Sequence, residues 1–142
     1  MKKKIYYGLA VYDKKEIRAV NRVLTQNKLN LIDGPSVKLF EKKIASLFGK
    51  KYGLMVNSGS SANLLALASL KLRKNSEVIT PTLTFSTTVA PIYQLGLIPC
   101  FVDVEINKFI VDVEKIEKNI NKNTRAMIIP NLLGNIPNYK KL

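Results

Sequence analysis

Histidine is absent from the 142-residue sequence, and with it go a Ser-His-Asp triad, a His-ligated metal and a histidine general base. Cysteine occurs once, at Cys100, which excludes an internal disulfide and a cysteine-based zinc site. No apolar run approaches the roughly 20 residues needed to cross a bilayer. The start, Met1-Lys2-Lys3-Lys4-Ile5-Tyr6-Tyr7-Gly8, is basic like the head of an export signal, but no apolar stretch follows it. Export is therefore not expected and a cytoplasmic location is.

Acidic residues are scarce, 10 against 23 basic ones, for a net charge of +13. Such an excess invites a nucleic-acid reading. Only Arg18, Arg22, Arg73 and Arg125 are arginines, however, and the lysines scatter along the chain without forming a stripe. This looks like a general bias toward Lys, Asn and Ile. A basic chain still attracts anionic partners, nucleotide-linked substrates among them. A nucleic-acid binder remains as a reading on charge alone; steeply salt-dependent binding would mark it. Hydrophobic content of 46% fits a soluble globular chain, long enough to bury a core as one domain.

What is present is organised around Leu54 to Leu72. Leu54-Met55-Val56 reads as a short buried strand, and Asn57-Ser58-Gly59-Ser60 as a polar turn. Ala62, Leu64, Leu65, Ala66, Leu67, Ala68 and Leu70 then make a helix too apolar to lie on a surface. A strand, a glycine turn and a helix place unpaired N–H groups and hydroxyls at a positive dipole end, which suits a phosphate. Ser and Asn are also preferred N-caps, so the same turn serves plain capping equally well.

Around this stretch, Asp13 caps a helix to about Asn27 with Ile17, Val20, Val23 and Leu24 on one face. Leu29 to Pro35 is a loop. Pro35 or Ser36 opens a second helix, lined by Val37, Phe40, Ile44 and Leu47 and ended by Gly49. Beyond the centre come a strand at Glu77–Thr80, a helix from Ser86 to Gln94 stopped by Gly96, and a strand from Ile98 to Val104. Asp112 then caps a helix through Asn119 with Val113, Ile116 and Ile120 inward, and Ala126–Ile129 is the last strand. Strands alternating with helices of this length predict an α/β fold, a mostly parallel sheet with helices on both faces. Pro137 reads as the first-turn proline of a helix with only Asn138 to Leu142 left to it, so the pattern is expected to stop in mid-fold.

In order and spacing these segments resemble the fold-type I pyridoxal-phosphate enzymes of the DegT/DnrJ/StrS group, the nucleotide-sugar aminotransferases. The matching pieces are Gly34-Pro35 before Phe40-Glu41, Val56-Asn57-Ser58-Gly59-Ser60-Ser61-Ala62, Glu77-Val78-Ile79-Thr80-Pro81 with Thr84-Phe85, Pro99-Cys100-Phe101-Val102-Asp103-Val104, and Asn123 to Pro130 running into Leu133-Gly134. The resemblance implies that 1–33 are an N-terminal helix and loop and 34–142 the first part of the cofactor-binding large domain. It implies that Gly59, Ser60 and Ser61 hold the phosphate of pyridoxal 5'-phosphate (PLP, or its amine form PMP) and that Phe85 stacks on the pyridine ring. Without the resemblance, Phe85 reads as an ordinary core residue.

The implied activity is amino transfer from an amino acid to a nucleotide-linked 4-keto-6-deoxy sugar, in surface polysaccharide or deoxyamino-sugar synthesis. Asn57 to Leu64, with Thr87-Thr88-Val89 and Gly96-Leu97-Ile98-Pro99, is also similar to the nucleotide-sugar 3-dehydratase branch, which removes the C3 hydroxyl. The family's Schiff-base lysine (histidine in the dehydratases) and its pyridine-nitrogen Asp fall outside the matched stretch. No catalytic residue is therefore expected in this chain, which alone is expected to be inactive. Implied partners are the sugar substrate, the amino donor, and a second copy or a complementary C-terminal half. A non-catalytic remnant or binding module is the reading of another class.

Overall fold

The computed structural model describes residues 4–6, 8–26 and 31–142. The expected end of the first helix at Asn27 and the start of the loop at Leu29-Asn30 lie outside them. The chain forms two compact units, Met1–Met55 and Val56–Leu142.

In the first unit, α1 (Lys14–Gln26) opens on a reciprocal cap. Asp13 Oδ1 accepts the Lys15 N–H, and Glu16 Oε2 accepts the Asp13 N–H at 2.8 Å. The apolar face read from the sequence is present, but Ile17, Val20 and Leu24 are exposed. Helix α2 (Pro35–Leu47) starts with proline in its first turn, after Gly34. It ends at Gly49 (φ +62°), where Gly49 N–H donates to Ser46 O and Lys50 N–H to Ala45 O. Of its side chains only Ala45 is buried; Phe40, Ile44 and Leu47 are exposed.

Leu54-Met55-Val56 is not the buried strand expected. It has no ladder partner among the described residues, and Leu54 and Met55 are exposed. The reason is local: the Met55 N–H donates to Glu41 Oε1 of α2 at 2.8 Å and so is not offered to a strand. Gly53 lies so close to α2 that a Cβ there would stand 2.6 Å from the Glu41 carbonyl oxygen.

The second unit is built on a parallel sheet of order β2-β1-β3, with β1 at Glu77–Pro81, β2 at Ile98–Val102 and β3 at Thr124–Met127. Helix α3 (Gly59–Ser69) precedes β1, α4 (Ser86–Gln94) joins β1 to β2, and α5 (Val113–Ile116, continuing as a 3-10 turn to Asn119) leads from β2 to β3. The first crossover runs to one side of β1 and the second passes back over it. Crossovers of one hand therefore place α4 and α5 on opposite faces.

Burial agrees with that arrangement. Val78 packs with Leu67, Ile92 and Leu97 on one face, and Ile79 with Val102, Val111, Val113 and Ile116 on the other. This is the α/β sheet covered on both faces that the alternation of elements predicts. Pro99 sits on edge strand β2, where a missing N–H is tolerated. Gly96 (φ +68°) ends α4 as Gly49 ends α2, with its N–H on Tyr93 O and the Leu97 N–H on Ile92 O.

Five expectations need correction. Helix α3 is less enclosed than its composition suggests: only Leu67 is fully buried, and Leu65 and Leu70 are exposed. Ile120 points outward, because the helix capped by Asp112 tightens into a 3-10 turn before it. Strand β3 begins two residues early, with Arg125 taken up in a bulge opposite Glu77/Val78, and β2 is two residues shorter than expected. No helix follows Pro137; a 3-10 turn at Leu132–Gly134 precedes it, and Pro137 itself is buried.

Thr80, on β1, has its hydroxyl buried without a hydrogen-bond partner. Thr80→Val keeps the shape and removes the unpaired group, and should stabilise the chain by about 1 kcal/mol. Gly53→Ala forces a carbon against the α2 backbone and should destabilise by about 1–3 kcal/mol. Urea unfolding midpoints check both. A Thr80→Val chain less stable than the parent, or a Gly53→Ala chain equal to it, contradicts these packing assignments.

Candidate functional site

The extended segment ends at Ser58 (φ −160°, ψ 160°), the N-cap of α3. Ser58 Oγ accepts the Ser61 N–H at 3.1 Å, its carbonyl accepts the Ala62 N–H at 3.1 Å, and the Ser58 and Ser61 hydroxyls are 3.2 Å apart. Capping therefore falls to Ser58. The N–H groups of Gly59 and Ser60 have no protein partner among the described residues. A Cβ built on Gly59 would meet nothing within 4 Å, so the space at this helix end is open. Ser60 is exposed and Ser61 half-buried. Two unpaired donors at a positive dipole end, beside two hydroxyls and open space, fit a phosphate.

Across a cleft of about 180 Å³, Ser60, Ser61 and Leu64 face Thr87, Ala90, Pro91 and Gln94 of α4. The turn after β1 leads into α4 through Phe85, its N-cap, which is 69% exposed. Two bonds hold this corner: Thr84 Oγ1 donates to Thr88 Oγ1 at 2.9 Å, and the Thr88 N–H to Phe85 O at 2.9 Å. Phe85 is thus exposed among the described residues. Gly59, Ser60 and Ser61 lie together at the α3 start. Phe85 stands at the C-terminal end of β1 and is not among the residues lining the α3–α4 cleft.

The sequence reading missed two contacts here. Asn63 Nδ2 donates to Thr87 O at 3.3 Å, joining α3 to α4, and Thr82 Oγ1 meets Asp103 Oδ1 at 3.5 Å beyond the ends of β1 and β2. The signal for the first was Pro91, which denies a carbonyl four residues back its helical partner.

Three lysines and the cysteine are shifted away from nucleophilic forms. Lys38, Lys115 and Lys141 are all held above the ordinary lysine value, first by hydrogen bonds to Asp33, Asp112 and Glu114 respectively. An imine-forming lysine needs the opposite shift. Burial, and then the Glu77 carboxylate, push the Cys100 thiol up, so it stays protonated at neutral pH. Among the described residues no group of His, Cys, Asp and Glu side chains could hold a metal ion, and no helix is long and apolar enough to cross a membrane.

The division of labour at the α3 start is open to test. Ser58→Ala should cost about 1 kcal/mol of stability and Ser58→Gly only a few tenths. Equal stability of the Ser58→Ala chain and the parent, by urea unfolding, would show that Ser58 is not the cap.

The chain is similar to several known proteins. Over 132 residues, 89% of this chain and 33% of the relative, the sequence is 41% identical to GDP-4-keto-6-deoxy-D-mannose 3-dehydratase of Yersinia pseudotuberculosis. It is 34% identical over 123 residues to dTDP-3-amino-3,6-dideoxy-alpha-D-galactopyranose transaminase of Aneurinibacillus thermoaerophilus, 87% of this chain and 33% of that one. The solved structure of the Escherichia coli GDP-4-keto-6-deoxy-D-mannose 3-dehydratase with bound hydrated PLP superposes with a TM-score of 0.85. That pair is 37% identical, covering 94% of this chain and 35% of the enzyme. The chain thus spans about a third of the length of the relatives it matches. A family match over residues 11–142 agrees with these likenesses, and the chain belongs to the DegT/DnrJ/EryC1/StrS aminotransferase family.

Proposed function

We propose that this chain forms the N-terminal part of a PLP- or PMP-dependent enzyme acting on a nucleotide-linked 4-keto-6-deoxy sugar, with 34–142 as the first part of its cofactor-binding large domain. The observation that carries the reading is the pair of unpartnered N–H groups of Gly59 and Ser60, at an open helix start with the Ser60 and Ser61 hydroxyls beside them. These groups hold the cofactor phosphate. Phe85, exposed and fixed by the Thr84–Thr88 bond, covers the flat ring and excludes water from it. The cofactor, when bound, supplies an electron sink for bond changes at the sugar; this chain binds and orients it. The net charge of +13 draws in the anionic nucleotide.

Of the two reactions, loss of the C3 hydroxyl is favoured by the 41% identity to a 3-dehydratase, against 34% to a transaminase, over similar stretches. Amino transfer from an amino-acid donor is the second reading. The remaining groups of the reaction come from polypeptide corresponding to the other two-thirds of the family fold, and a second copy or a complementary chain is the expected partner.

Titrating the chain with PLP and following the cofactor's absorbance tests the phosphate seat. Saturable binding that inorganic phosphate displaces is expected. The Ser60→Ala/Ser61→Ala double variant should weaken it about 10-fold or more, in line with losing two hydrogen bonds to a charged group. Phe85→Ala should weaken PLP binding by roughly 5–10-fold and leave phosphate binding alone. No saturable binding, or binding indifferent to phosphate, would overturn the reading.

A further inference from the structure

Helix α4 carries Pro91 as its sixth residue, past the first turn where proline is harmless. The helical partner of the Thr87 carbonyl would be the N–H of residue 91, which proline lacks. The proline ring also crowds that carbonyl and tilts it away from the helix axis. The donor that reaches Thr87 O is the side-chain amide of Asn63, from α3, at 3.3 Å in a partly buried setting. Asn63 lies one turn beyond Gly59, and Thr87 lies two residues beyond Phe85. The bond therefore joins the second turn of α3 to the first turn of α4, the two helices that flank the cleft. Asn63 does not line the cleft.

We infer that Asn63 is a positioning residue: its amide supplies the hydrogen bond that Pro91 denies Thr87, and so locks the first turn of α4 against the second turn of α3. This sets the distance between the phosphate donors at Gly59–Ser61 and the ring of Phe85, a consequence that rests on the cofactor reading above. A helix without the proline would satisfy Thr87 internally and need no tie from α3. The carbonyl freed by the proline is what makes the tie specific to one pair of residues.

A double-mutant cycle with a ligand readout tests the lock. Asn63→Ala is made in the parent and in a Pro91→Ala background, where the backbone N–H restored at position 91 can serve Thr87 O. In the parent, Asn63→Ala should lower the melting temperature by about 3–8 °C, the cost of stranding a partly buried carbonyl. In the Pro91→Ala background it should lower it by less than half as much. An equal loss in both backgrounds overturns the lock.

Calorimetric titration of the Asn63→Ala chain with PLP and with inorganic phosphate, well below its melting temperature, reads the positioning. PLP, which on the cofactor reading engages both the α3 start and Phe85, should bind about 10-fold more weakly, while phosphate, assigned to the α3 start alone, changes less than about 2-fold. Parallel losses for both ligands, or none for either, would reduce Asn63 to a structural tie and overturn its positioning role. If the parent chain binds neither ligand, the cofactor reading and the positioning role built on it fail together, and the melting cycle still decides whether the lock exists.

Discussion

Strand β1 is paired on both edges and covered on both faces, and the second unit follows from that constraint. Val78 and Ile79 have no exposed surface, and they point to opposite sides of the sheet. Burying both requires a helical layer on each face, since successive side chains of a strand alternate. The chain supplies those layers by leaving β1 toward β2 through α4 and returning past β1 to β3 through α5. The turns after β1 and β2 therefore depart to opposite faces. In open parallel sheets, departures to opposite faces are where ligand crevices form, outside the carboxyl ends of the strands. Phe85 and the start of α4 stand at that end because β1 delivers them there.

Local chemistry was legible in the sequence. Asp13, Gly49, Gly96 and Asp112 each mark a helix end where a cap or a left-handed residue was expected, and the structure places one at each. These signals act over four or five residues, so the sequence contains all the information they need. The order of strands and helices was legible for a similar reason, because the alternation of apolar runs is itself local. The capping reading of Ser58 to Ser61 followed the same rule: Ser58 caps the helix, and among the described residues the Gly59 and Ser60 N–H groups have no partner.

What was not legible depends on partners distant in sequence. Leu54-Met55-Val56 has strand composition, yet the Glu41 carboxylate takes the Met55 N–H, and nothing in the run itself announces that. Helix α3 is apolar all round, but within its unit only the side toward α4 and the sheet is covered. Ile120 follows the periodicity of an α-helix that has already tightened into a 3-10 turn. Pro137 is permitted at the start of a helix without being able to cause one, and so short a remainder does not propagate a helix without packing. The cleft between α3 and α4 shows the same limit. Each helix was placed correctly, but their contact at Asn63 and Thr87 belongs to the pairing of the two.

The proline in α4 also has a meaning for inheritance. A carbonyl deprived of its own helix's donor binds the fate of position 63 to that of position 91, although each alone would count as an unremarkable helix residue. A lineage that loses the proline releases the asparagine to drift, whereas one that loses the asparagine first must cross a less stable intermediate. If the tie holds, the cheaper order of change replaces the proline first, because the asparagine is then no longer needed by the Thr87 carbonyl.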